Sequence, residues 1–157
     1  MRAAERAQRR DQHVVQEAVG CGHAHAAFEP RVRCGELAAF VPELTPGAQD
    51  LVLVKATGGA FSRTKLDDEL HWRGIDTLIV AGLMTHLAVL ATADDGSLLG
   101  YRVLVAADAT ATRTLPGAGV TASIDAKTLQ RASLATLADR VADVLPSVAI
   151  ANLPVLR

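Results

Sequence analysis

Residues 77–86 read TLIVAGLMTH, a strand that runs into a glycine and then into a helix start, and this stretch limits the chain more than any other. Leu78 to Ala81 are four consecutive apolar residues, the pattern of a strand buried on both faces, and Gly82 ends the run where the chain turns away. Thr85 has the side chain of an N-cap for a helix through Val89, Leu90 and Ala93 to Gly100. In a parallel sheet this order places the turn at the carboxyl edge, where the free amides of the helix start face a crevice. Ligands bind at that edge.

The rest of the chain alternates strand and helix around this unit. Asp50 to Lys55 (DLVLVK) is expected as a buried strand, and Gly58 and Gly59 loosen the loop that follows. A helix is expected from Lys65 to Arg73, with Gly74 as its stop. Tyr101 to Ala107 is the next strand, with Asp108 at its carboxyl end, and residues 110–122 form a polar loop whose one charge is Arg113. The spacing of Leu134, Leu137, Ala138, Val141 and Val144 predicts a helix over 124–145, which Pro146 stops before a last edge strand at Val148 to Ile150. On the amino-terminal side, residues 2–10 are expected as the end of a surface helix, 13–16 as a short strand and 19–50 as a long connection. The sum is one α/β domain over residues 1–157, a three-layer sandwich with a mostly parallel sheet.

Composition narrows the function. A net charge of −1 leaves no electrostatic footprint for nucleic acid or an anionic membrane. No apolar run approaches the roughly 20 residues that cross a bilayer, and residues 1–19 lack a signal-peptide core, so the cytoplasm is expected. Cys21 and Cys34 read as free thiols, and His23 with His25 make only two ligands, so no metal and no cofactor is expected. Phe28 and Phe40 read as loop anchors, and Asp67, Asp68 and Glu69 as a solvated first turn that offsets the helix dipole.

GLMTH at 82–86, ATAD at 91–94 and GYRVLVAADA at 100–109 together resemble the isochorismatase-like cysteine hydrolases, which include nicotinamidases, carbamoylases and isochorismatases. Lys55 after LVLV, then Phe61, Thr64 and LDDEL at 66–70, fit the same family in order and spacing. The resemblance implies a nucleophilic cysteine six residues after Gly82, where a helix start would activate a thiol; this chain carries Ala88 there. It implies that Lys55 is the active-site lysine, and that a general-base aspartate ends a central strand preceding the first helix, which this sequence does not contain. The domain is therefore expected to be amino-terminally short, with its first strand missing. The backbone amides of Met84 and Ala88 are implied as an oxyanion hole, with a cis peptide between Leu83 and Met84. Thr85, His86 and Phe61 are carried over as ligand-facing residues, and Asp108 as a residue that could touch ligand but mainly fixes its loop. A small-molecule ligand and a homo-oligomer are the partners the resemblance implies. Three functions fit: a binding protein that has lost thiol chemistry, a hydrolase of isochorismatase type using acid/base chemistry without the thiol, and a remnant without activity.

Overall fold

The computed structural model describes residues 45–48, 50–53, 55 and 57–154. The expected helix at 2–10 and strand at 13–16, and Cys21, His23, His25, Phe28, Cys34 and Phe40, lie outside the described residues.

Helix α1 (Leu66–Trp72) buries Leu66 and Leu70 and carries Asp67, Asp68 and Glu69 in its first turn, where negative charge faces the positive end of the helix. Gly74, at φ +68, stops it in a conformation that a side chain would strain, and strand β1 (Thr77–Leu83) follows. A π-helical turn (Thr85–Val89) leads into α2 (Leu90–Leu98), and the chain returns as β2 (Arg102–Ala111). Helix α3 (Ala126–Arg140), strand β3 (Asp143–Leu145) and a short helix α4 (Ser147–Ala151) complete the order.

The described strands form one parallel sheet in the order β1-β2-β3. One face buries Leu78, Val80, Val103 and Val105 against Leu66 and Leu70 of α1, Val89 and Ala93 around α2, and Leu137 of α3. The other face packs Leu104 and Ala106 against Ile150 of α4. Helices on both faces of a parallel sheet give the expected α/β sandwich, because each apolar sheet face needs its own cover.

Four local expectations change. Gly82 lies inside β1 at φ +118, and the ladder continues to Leu83 opposite Ala111. Between the pairs Val80–Val105 and Gly82–Thr110 the register shifts, so β2 bulges over residues 106–109 before rejoining β1. The helix expected over 124–145 ends at Arg140, and Val144 instead continues the sheet beside Val105. Val148 to Ile150, expected as an edge strand, are helical: Pro146 fixes the N-cap backbone, and the sheet edge is already taken by β3. Leu51 and Leu53 of the expected strand at 50–55 pack on the core while Val52 is half exposed, but none of the described residues there joins a strand.

Candidate functional site

The site sits where β1 gives way to α2. The Leu83–Met84 peptide bond is cis, and Met84 then enters the π-helical turn in an extended conformation. The Met84 carbonyl accepts from the amides of Leu87 (3.0 Å) and Val89 (3.3 Å), the second spanning five residues. Widened turns of this kind are rare and recur at functional sites. Ala88, where the resemblance places a nucleophile, is in this turn and 7% exposed. Its side chain is a methyl group, which can neither attack a carbonyl nor hold a proton.

Thr85 is not the N-cap. Met84 occupies that position, no side chain caps the turn, and Thr85 is fully buried. Its hydroxyl donates to Gln130 Oε1 of α3 at 2.7 Å, and Gln130 Nε2 donates to Thr110 of β2, to the carbonyl at 3.2 Å and to the hydroxyl at 3.0 Å. A capping side chain must fold back on its own helix; this one reaches across to another. Gln130 carried no signal in the sequence, since its partners lie 45 and 20 residues away and a lone glutamine on a helix is ordinary.

Lys55 is 8% exposed, and its ammonium donates to the Gly58 carbonyl. A Cβ built on Gly58 would lie 3.8 Å from Leu87 Cγ, so the lysine loop runs beside the π-helical turn. The loop then follows α2 away from the site, with the Ala60 amide donating to Thr92 Oγ1 at 3.0 Å. That path carries Phe61 elsewhere than expected. Its ring stacks on Tyr101 at a centroid distance of 5.7 Å, next to the start of β2, and packs against the core there.

His86 pairs through Nδ1 with the Thr112 hydroxyl, just past the end of β2. Burial lowers its pKa below the ordinary 6.5, and the neighbouring Arg113 guanidinium lowers it further, so the imidazole is neutral near pH 7. Among the described residues Arg113 makes no ion pair, and its one hydrogen bond runs from Nη1 to the Thr114 carbonyl at 3.2 Å. Asp108 does not balance this charge. Its carboxylate accepts from the Ser147 amide (2.7 Å) and hydroxyl (2.8 Å), and these bonds hold its pKa below the usual value. Asp108 ties the β2 bulge to the start of α4, 39 residues on. Met84, Thr85, His86 and Ala88 are brought together, with Lys55 beside them through Gly58 and Arg113 through His86; Phe61 and Asp108 are not. No group of three acidic, histidine or cysteine side chains suited to a metal occurs among the described residues. None of their helices is long and apolar enough to cross a membrane.

Residues 10–147 match the isochorismatase domain family. A secreted isochorismatase effector of Verticillium dahliae is 36% identical over 104 residues, which is 66% of this chain and 52% of the effector. A maleamate amidohydrolase of Pseudomonas putida is 39% identical over 69 residues, 44% of this chain and 32% of that enzyme. The chain thus spans about half the length of the curated relatives it matches, or less. The crystal structure of an isochorismatase from Pseudomonas putida superposes with a TM-score of 0.69 and 35% identity, covering 73% of this chain and 58% of the other. Matched motifs, parallel sheet and superposition agree, and the chain belongs to the isochorismatase domain family.

Proposed function

We propose that this member of the family binds a small carboxylate or half-amide at the carboxyl edge of its sheet and does not process it through a covalent thioester. The observation that carries the reading is Ala88, a methyl group in the turn where thiol chemistry would need sulfur. The charge beside it favours an anion: Arg113 is cationic, His86 is neutral, and the Asp108 carboxylate is engaged by Ser147. A guanidinium with free donors and no ion-pair partner among the described residues suits a carboxylate, which it can grip with two parallel hydrogen bonds. An oxyanion hole made of backbone amides does not depend on the side chain at 88, so loss of the cysteine leaves carbonyl binding intact. One relative is named for maleamate, a small carboxylate bearing an amide, and that compound is the first probe.

Calorimetric titration with maleamate tests this reading. Reversible binding is expected, weakened about tenfold in Arg113→Ala by loss of a charge-assisted contact. Equal affinity in the two proteins would contradict the assignment of the carboxylate to Arg113.

A further inference from the structure

We propose that Gln130 is the positioning residue of this ligand site, locking its two halves at a fixed spacing and so setting the length of ligand it accepts. One half is the turn from Met84 to Ala88; the other is the end of β2 with Thr112 and Arg113 just past it. These halves come from different segments, and the ladder between β1 and β2 is interrupted by the bulge just before they meet. The side chain of Gln130 bridges that region from α3. Thr85 O–H donates to Oε1, Nε2 donates to the Thr110 carbonyl and hydroxyl, and Thr110 O–H donates on to the Ala107 carbonyl at 3.1 Å. Every donor in this chain of bonds has an acceptor, and Thr85 and Thr110 are 0% and 9% exposed, so water cannot replace the amide without cost. A primary amide is the group the position needs, because it must accept on one side and donate on the other. The ligand part of this inference rests on the function proposed above; the positioning part does not.

Two readouts separate them. Amide hydrogen exchange on the protein without ligand compares the native chain with Gln130→Met, which keeps the length and loses both polar groups. Exchange should rise about tenfold over residues 85–89 and 110–112 and stay unchanged in α1. Gln130→Glu should behave like Gln130→Met at neutral pH, where a carboxylate cannot donate to Thr110, and recover as acid protonates it. A uniform rise across the whole protein, as general destabilisation gives, or no rise in the two segments, would overturn the positioning role. The second readout is affinity for a series of dicarboxylic half-amides differing by one methylene. The native chain should prefer one length by about tenfold, and Gln130→Met should flatten that preference. A preference kept unchanged in the folded variant would overturn the claim about ligand length. Absence of binding by the native chain to every member overturns both that claim and the ligand reading, while hydrogen exchange still decides the positioning role.

Discussion

At the scale of single residues the site is defined by what each side chain can no longer do. The side chain at 88 is a methyl, which cannot itself act as a nucleophile, and the carboxylate at 108 accepts from the Ser147 amide and hydroxyl. Among the described residues, His86 is one whose state depends on pH. Its pKa is lowered in the fold, so above about 6.5 it is neutral in both folded and unfolded chains. As pH falls through that value the unfolded chain takes up a proton and the folded imidazole does not, and stability is lost until the lowered folded pKa is reached. Urea unfolding of the native chain at pH 7.5 and pH 5.5 should therefore show a loss at the lower pH that His86→Gln reduces. An identical loss in both proteins would show that other groups carry it. Thr85 gives the same lesson from the structural side: a residue type suited to capping is used as a cross-link, because its hydroxyl finds Gln130 before it finds its own helix.

Among the elements, α2 shows how closely helix and sheet must meet for the site to sit where it does. Gly96 of α2 faces the sheet, and a Cβ there would lie 2.8 Å from Leu78 Cδ1 and 3.3 Å from Phe61 Cε2. Both neighbours pack in the core, so Gly96→Ala should destabilise the fold by about 1–3 kcal/mol through overpacking. A urea midpoint equal to that of the native chain would show that the interface has slack. The elements legible in the sequence are those whose signals are local: the apolar run of β1, the acidic first turn of α1, and Gly74 and Gly100 as stops, with Gly100 at φ +93. Those that were not legible depend on distant partners. Val141 and Val144 fit a helical period, yet Val144 joins the sheet because Val105 offers it a ladder. Ser147 starts a helix because Asp108 receives its amide, and no window of sequence contains both. Likewise motif spacing singled out Lys55, Met84, Thr85, His86 and Ala88 as neighbours along the chain, whereas the Gln130 bridge and the stacking of Phe61 on Tyr101 follow from packing.

For the whole molecule, the parallel sheet with helices on both faces puts the turn from Met84 to Ala88, Lys55 and the tail of β2 at one edge, and the amino edge is left to the core contact between Phe61 and Tyr101. On the proposed function, that edge binds a carbonyl or carboxylate without the sulfur that would form a thioester. The most direct test is to incubate the protein with maleamate, record its intact mass and assay released ammonia. An unchanged mass and no ammonia above the rate without protein are expected. An acyl adduct, on Cys21 or Cys34 for instance, or catalytic release of ammonia would contradict it.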